Sequence, residues 1–352
     1  MYLTIPELDV VTIEHTNKCY GKCPECPRNT PDGKLNPCLK LKELTVDDYR
    51  KIGDESFYKN LPLISLTGCY GDATAASNLH DVLRYLMSVD ARVIIQTNGD
   101  FNPPEYYEEI AHIFNGKDRC AVEFAIDGLE DTNHLYRKNT DFQRIINNAR
   151  AFINAGGNAR VNVILFDHII HQKDAIIQRA KDEGFKSIVL KTHLRHLPVN
   201  KYFNHNMYKR LYYEDDDFGE LLDKYGTYEN YINQSKITCI FKTTGQLYID
   251  HQLNVWPCTC MGGNHFLFLD ENHILKKQAL GIIKRYGDGF NSLKTNTLEE
   301  IFNHPFYKND LEASWSNTMN DENYKHAICA KACGDFKRMS GCAIENKEKI
   351  IF

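Results

Sequence analysis

Six short apolar runs, separated from one another by amphipathic segments, constrain the fold of this chain more than any other feature of its sequence. The runs have strand length and are rich in Val, Ile and Leu, whereas the segments between them repeat apolar residues at helical spacing. Continuous apolar strands separated by helices indicate a parallel sheet with covered faces. The sequence therefore predicts an α/β fold with parallel strands, in which six βα units curve into a partial (β/α)6 barrel. The predicted strands are 10–16, 63–68, 92–97, 121–127, 160–165 and 187–191, and the predicted helices are 45–59, 76–88, 104–114, 141–155 and 172–183.

This alternation ends at residue 192, where the composition changes. Residues 200–236 are polar and contain seven tyrosines, which predicts a solvated helical linker or, alternatively, a lid that faces the substrate. Farther along, residues 245–250 and 254–257 predict a β-hairpin, and residues 292–309 predict a helix. We therefore expect three parts: a barrel domain at 1–199, a tyrosine-rich linker or lid at 200–236, and a small cysteine-rich domain of hairpin and helix at 237–352.

Charge and the amino terminus argue against several classes of protein. The first residues, MYLTIPELDV, contain neither the basic nor the apolar region of an export signal, and no run of about 18 apolar residues occurs. We therefore expect a cytoplasmic protein that neither spans nor binds a membrane. The net charge of −5 gives no basis for non-specific binding to nucleic acid. Twelve cysteines in a reducing compartment favour metal or redox roles over disulfides.

Three of these cysteines occur together in CYGKCPECPR, directly after the first predicted strand. Cys19, Cys23 and Cys26 are spaced as CxxxCxxC, and chemistry in such barrels lies at the carboxyl ends of the strands. A four-iron, four-sulfur cube needs one ligand for each iron, so three thiolates would leave one iron open to an exogenous ligand. A structural zinc ion is instead usually bound by four protein ligands that occur in pairs along the sequence, and this triple does not have that spacing.

The triple and its place after strand one resemble the radical S-adenosylmethionine (SAM) superfamily, over about residues 8 to 192. The resemblance implies that the three cysteines hold a [4Fe-4S] cluster whose fourth iron is chelated by the amino and carboxylate groups of SAM. Other stretches agree in order along the chain: TGCYGDA after strand two, TNG after strand three, IDG after strand four and an arginine just beyond it. The implied SAM-binding residues are Gly71, Asp72, Asn98, Asp127, Arg137 and Asn162.

The carboxyl-terminal cysteines form a second group. Eighteen residues separate Cys239 from Cys258, and Cys329 and Cys333 return later, so four thiolates could converge on one closed site. The arrangement resembles the twitch module, the short form of the SPASM extension, which implies one auxiliary [4Fe-4S] cluster. Cys260 and Cys342 are alternate ligands, and a zinc ribbon is the alternative to a cluster. The three remaining cysteines, predicted as small buried hydrophobic residues, are Cys38, Cys69 and Cys120.

The resemblance implies a radical SAM oxidoreductase. It would cleave SAM reductively to a 5′-deoxyadenosyl radical, abstract a hydrogen atom from a small polar or nucleotide-like substrate, and pass an electron to the auxiliary cluster. A donor such as flavodoxin or ferredoxin would supply the reducing electron. Two alternatives stay open: a peptide-modifying enzyme of the RiPP maturase type, and a zinc or iron-sulfur protein that serves as an interaction scaffold. No residue is assigned as catalytic, and the candidates for a polar contact or proton transfer are Lys191, His193, His196 and His168.

Overall fold

A nine-stranded sheet organises the chain in the computed structural model, which describes residues 2–24, 26–30, 32–192, 223–269, 271–335 and 347–352. Strands β1 to β6 are parallel neighbours in chain order. Beyond them, β7 pairs parallel with β1, β8 pairs antiparallel with β7, and β9 pairs antiparallel with β6. The strands are β1 (Val10–Ile13), β2 (Leu63–Leu66), β3 (Val93–Thr97), β4 (Ala121–Ala125), β5 (Ala159–Leu165), β6 (Ser187–Thr192), β7 (Gln246–Ile249), β8 (Val255–Trp256) and β9 (Lys347–Ile351).

Helices connect the parallel strands and pack on one face of the sheet. In the barrel region they are Val46–Ile52, Glu55–Asn60, Leu79–Ser88, Pro104–Phe114, Asn133–Tyr136, Phe142–Asn154 and Lys173–Asp182. The carboxyl-terminal region has its own helices, most of which follow the last parallel strand. These helices are Tyr228–Gln234, Ile240–Thr243, Thr259–Gly263, Ile274–Tyr286, Leu298–Asn303, Leu311–Ser314 and Ala327–Cys333. Across the described ranges, no helix is both long enough and apolar enough to cross a bilayer.

The two faces of the sheet differ sharply in polarity. On the face that meets the helices, Phe124 of β4 contacts Tyr107 and Phe152 of two connecting helices, and these rings are buried. On the opposite face, strand register aligns Gln96, Glu123 and Arg160, and all three are only half-buried. Because side chains alternate along a strand, this second face lines the interior of the open barrel. The barrel interior is therefore polar at this level.

The structure confirms the predicted α/β class with six parallel strands and a carboxyl-terminal hairpin. It also shows that the hairpin continues the barrel sheet, because β7 pairs with β1. Strand β9, with the sequence KEKII, was not predicted, since its alternating charges do not resemble a buried strand. Residues 193–222 lie outside the described residues, so much of the predicted linker or lid is not described, and the division into domains stays a prediction.

Two predicted helices are interrupted in the structure. The helix predicted at 45–59 divides at Gly53, because the carboxylate of Asp54 accepts a hydrogen bond from Phe57 N and so starts a new helix. Of the helix predicted at 292–309, only Leu298–Asn303 is α-helical, and Thr297 provides its capping box. A separate π-helical turn follows at Phe306–Asp310. In both cases local capping decides where the helix begins.

Two buried histidines should make the folded protein less stable at acidic pH. Burial lowers the pKa of His15 and of His326 to about 4, below the ordinary value of about 6.5. The unfolded chain therefore binds protons first as the pH falls, and stability is lost from about pH 6.5 down to 4. Between pH 7 and 5 we expect each histidine to cost about 2 kcal/mol of unfolding free energy. Urea unfolding at the two pH values should show a smaller loss in His15→Gln than in the unsubstituted protein; an equal loss would contradict the assignment.

Candidate cofactor site

The loop that follows β1 places the three clustered cysteines at the carboxyl edge of the sheet. Cys26 N donates a hydrogen bond to Cys23 O (3.1 Å), which folds the loop into a turn. A Cβ atom added to Gly21 would lie 3.6 Å from the Cys19 sulfur and 3.7 Å from the Cys23 sulfur, so both sulfurs face this glycine. Burial raises the pKa of Cys19 and Cys26 to about 12, and it also raises the pKa of Cys23. The thiols are therefore protonated at neutral pH unless a metal displaces their protons.

A chain of hydrogen bonds connects this loop to the ends of β3, β4 and β5. Asn98 Nδ2 donates to the Cys19 sulfur (3.3 Å), and Arg137 Nη1 donates to Asn98 Oδ1 (2.8 Å). Arg137 Nε donates to the fully buried Asp127 Oδ2 (2.6 Å), whose other oxygen accepts from Ile164 N (2.6 Å). The guanidinium also lies beside Cys23 and opposes the effect of burial on the pKa of that thiol. Arg137 thus places a positive charge next to the sulfurs, which favours thiolates.

Gly71 and Asp72 lie against the same loop and have structural roles of their own. A Cβ on Gly71 would lie 1.7 Å from Thr16 O, so only glycine permits this close approach. Asp72 Oδ1 accepts from the backbone N–H (3.0 Å) and the hydroxyl (2.9 Å) of Thr74, and Oδ2 accepts from Thr97 Oγ1 (3.1 Å) and Asn98 N (2.7 Å). The Asp72 carboxylate therefore fixes the backbone of Asn98, which contacts Cys19.

The other predicted residues lie around this centre. Asn162 is half-buried on the polar face of the sheet, in register with Ala125, and its side chain has no hydrogen bond among the described residues. Lys191 is half-buried in β6, in register with Ile164. His168 stacks on Phe166 with ring centroids 5.5 Å apart, and burial lowers its pKa. His193 and His196 lie outside the described residues.

The four predicted auxiliary ligands line one cavity. Cys239 and Cys258 each precede the first turn of a short helix, and Met261 N donates to the Cys258 sulfur (3.4 Å). Cys329 and Cys333 stand four residues apart in the helix Ala327–Cys333, a spacing that places both on one face. The CAKAC sequence is thus compatible with two ligands to one group. The rest of the cavity wall consists of Tyr2, Ile237, Phe241, Pro257, Met261, Leu311, Trp315, Ile328 and Ala332.

Electrostatics in this cavity favour binding of a cationic group by thiolates. A hydrogen bond from Cys333 lowers the pKa of Cys239, and the same bond raises the pKa of Cys333. Burial raises the pKa of Cys258 to about 12 and that of Cys329 well above its usual range. The apolar wall thus opposes charge on isolated thiolates, which a bound metal group would neutralise. Cys260 is half-buried and disulfide-bonded, so its sulfur is not a free thiol in this structure, and Cys342 lies outside the described residues.

Neither cysteine set has the geometry of a site for a single metal ion. Within the described ranges, no three His, Cys, Asp or Glu side chains surround a point where one ion could bind. Thiolates on a cube bind different irons and therefore stand farther apart than the ligands of one ion. The thiol-only donor sets and the apolar cavity suit an iron-sulfur cluster.

A buried carboxylate that sequence reasoning missed lies between the two cysteine sets. Glu14 is fully buried and accepts from Tyr70 N (2.6 Å) and Tyr248 Oη (2.7 Å), and His251 Nδ1 lies 3.0 Å from it. Beside this cluster, the Cys69 sulfur lies 3.6 Å from Thr259 O, next to the helix that follows Cys258. The glutamate within the apolar run VVTIEHT was the available signal, because a buried charge requires partners.

Comparisons with known proteins give the fold. No protein-family model matches the sequence, and no curated protein matches it. SuiB of Streptococcus suis bound to S-adenosylmethionine is 14% identical over 92% of this chain and 77% of SuiB, with a TM-score of 0.52. Native anSMEcpe with bound AdoMet is 13% identical over 96% of this chain and 92% of that protein, also with a TM-score of 0.52. The likeness therefore includes the carboxyl-terminal region, and the chain has the partial-barrel fold of these two proteins.

The ion pair in the first site predicts a large stability effect. Replacing Arg137 with glutamine leaves Asp127 buried without its positive partner, so we expect a loss of about 3–5 kcal/mol in unfolding free energy. Arg84→Gln is the matched control, because the exposed pair of Arg84 with Glu109 (2.6 Å) should contribute at most about 1 kcal/mol. Urea unfolding measures both variants. Equal small losses would contradict the role of the buried pair.

Proposed function

We propose that this protein is a radical SAM enzyme in which Cys19, Cys23 and Cys26 hold a [4Fe-4S] cluster and SAM chelates the fourth iron. The observation that carries the proposal is the three-thiol loop at the carboxyl edge of the sheet, hydrogen-bonded through Asn98 to Arg137. The fold likeness to two proteins solved with SAM bound supports it. When bound, the reduced cluster and SAM together supply a 5′-deoxyadenosyl radical that abstracts a hydrogen atom from the substrate.

The residues of the site would position SAM. Arg137 keeps N–H donors beyond those used on Asp127 and Asn98, and a guanidinium binds a carboxylate in a fork, so it suits the carboxylate of SAM. Gly71, whose α-carbon packs against Thr16 O, would offer its backbone to the amine of SAM. Asn162, beside Ala125 on the inner face, is the proposed polar contact to the rest of SAM. Asp72 would act by fixing Asn98.

The carboxyl-terminal cysteines are proposed to hold one auxiliary [4Fe-4S] cluster in a twitch-like module. Cys239, Cys258, Cys329 and Cys333 line a single cavity, which supports a cluster with four protein ligands. A cluster of this kind has no open iron for SAM, so its suitable role is to accept an electron. The net reaction would then be an oxidation, and the protein an oxidoreductase. An electron donor such as flavodoxin or ferredoxin would reduce the first cluster.

A small polar substrate suits the interior of the barrel. Thr67 Oγ1 donates to Gln96 Oε1 (2.9 Å), and Gln96 Nε2 donates to Glu123 Oε2 (3.0 Å), which fixes a carboxylate on the inner face. Arg160 is the register partner of Glu123 and is half-buried, and its side chain makes no ion pair or hydrogen bond among the described residues. A substrate with both acidic and basic or hydrogen-bonding groups would find partners here. An apolar substrate would leave these groups unpaired.

A peptide substrate is the second candidate. The structure of SuiB bound to its precursor peptide SuiA is 13% identical to this chain, with a TM-score of 0.52, over 92% of this chain and 76% of SuiB. Incubation with deuterated candidate substrates separates the two proposals, because the true substrate transfers label to 5′-deoxyadenosine. A short peptide gene beside the gene of this protein would favour the peptide.

Metal analysis tests the proposed chemistry against a non-catalytic scaffold. After anaerobic reconstitution we expect about eight irons and eight sulfides per chain, and SAM cleaved to 5′-deoxyadenosine upon reduction. Stoichiometric zinc without SAM cleavage would contradict the proposal and favour a zinc-binding scaffold.

A further inference from the structure

The indole N–H of Trp315 is a buried donor in the wall of the four-cysteine cavity. Its nitrogen is shielded from solvent and makes no hydrogen bond of normal geometry with any described residue. A buried donor without an acceptor costs about 1–3 kcal/mol, and native proteins retain few such groups. The indole N–H therefore needs an acceptor in the loaded site, either a ligand sulfur or the bound group itself.

The sulfur of Cys329 is the group beside this donor. Trp315 and Cys329 both line the cavity, and the indole N–H of Trp315 is a side-chain donor that acts on the Cys329 sulfur. A neutral thiol is a weak acceptor, but a thiolate is a strong one. The N–H is thus positioned for the deprotonated form of Cys329, which is the form that ligates iron.

The other polar side chain in the cavity wall already has an acceptor. Tyr2 Oη donates to Pro257 O (3.0 Å) and lies 3.5 Å from the Cys239 sulfur. Its proton therefore has a backbone partner, unlike the indole proton of Trp315. The comparison identifies Trp315 as the donor whose hydrogen bond depends on the bound group.

We infer that Trp315 donates a hydrogen bond to the Cys329 sulfur when this residue ligates the auxiliary cluster, and that the bond raises the reduction potential of that cluster. The inference rests on the auxiliary cluster proposed above. A hydrogen bond to a ligand sulfur stabilises the reduced cluster more than the oxidised one, because the reduced cluster carries one more negative charge. Trp315 is a positioning residue in this account, and it makes the cluster a better acceptor for the substrate electron.

The potential of the auxiliary cluster tests this inference. In a full-length background with Cys19→Ala, Cys23→Ala and Cys26→Ala, only the second site can hold a cluster, with about four irons per chain. In this background we expect Trp315→Phe to retain its iron and to shift the midpoint potential to a more negative value. Tyr286→Phe is the matched control, because that hydroxyl donates to Asp310 (2.8 Å) outside the cavity, and its potential should not change.

A spectroscopic measurement on the unsubstituted sequence covers the case in which Trp315→Phe does not fold. The chain has only two tryptophans, and the indole of Trp256 donates to Asp250 (2.9 Å). In protein labelled with ¹⁵N-indole tryptophan, pulsed EPR of the reduced cluster should detect an indole nitrogen and an exchangeable proton that D₂O removes. A loaded cluster without these couplings, or with an unchanged potential in Trp315→Phe, would overturn the inference alone. Failure of the triple variant to bind any cluster would instead contradict the four-thiol site itself.

Discussion

Replacing Cys26 with alanine is expected to abolish reductive cleavage of SAM. Cys26 shares the loop with Cys19 and Cys23, and two thiolates are too few to retain a cube with an open iron. We expect 5′-deoxyadenosine formation to fall by at least about 100-fold. Removing a residue that only hydrogen-bonds to a metal ligand already lowers metal affinity or activity by about 10- to 100-fold, and Cys26 is itself a proposed ligand. Chromatography of the reduced reaction mixture measures the product.

Cys38→Ala is the matched control for this prediction. Cys38 is half-buried on the segment that follows the triple, and its sulfur lies 3.8 Å from Leu267 O. Its replacement should leave SAM cleavage close to the level of the unsubstituted protein. If Cys26→Ala still cleaves SAM, or if both variants lose activity equally, the ligand assignment is wrong.

Replacing Cys258 with alanine should remove the second cluster and leave the first in place. Iron is expected to fall from about eight to about four per chain, while some unproductive cleavage of SAM persists and substrate turnover stops. The physical reason is that Cys258 lines the closed cavity of the second site and lies in a different element from the first loop. Iron analysis and SAM cleavage on the same sample measure both effects.

Cys260→Ala provides the comparison, since Cys260 is half-buried two residues farther along the same short helix. It should retain both clusters. Loss of iron in Cys260→Ala but not in Cys258→Ala would mean that Cys260, and not Cys258, is the ligand. Equal loss of iron and of SAM cleavage in Cys258→Ala would instead mean that the second cluster is needed for folding.

The barrel strands could be predicted because parallel strands with covered faces form continuous apolar runs. Strands β2 to β6 begin within one residue of the predicted positions. Strand β1 ends earlier than predicted, at Ile13, because the next residue, Glu14, belongs to a buried hydrogen-bonded cluster at the edge of the sheet. Strand β9 could not be predicted, because only pairing with β6 gives its charged sequence a strand conformation.

The cysteine triple is visible in the sequence because its spacing is local, whereas the four carboxyl-terminal cysteines that line one cavity are spread over residues 239–333. The residues around them depend on contacts distant in sequence: Arg137 reaches Asn98 across 39 positions, and Tyr248 reaches Glu14 across 234. The alignment of Gln96, Glu123 and Arg160 on one face likewise requires the strand register. The sequence did not identify Trp315, because its proposed role depends on the cavity that it lines, and that cavity forms only in the folded chain.

Binding of SAM to an iron atom is the most direct test of the proposed chemistry. The reduced protein should be mixed with SAM carrying ¹⁵N in its amino group and studied by electron–nuclear double resonance. We expect a nitrogen coupling to one site-differentiated iron, together with a changed EPR spectrum, and we expect both to be absent in Cys26→Ala. A spectrum that SAM leaves unchanged, in a protein whose iron content matches two cubes, would contradict the proposed open iron.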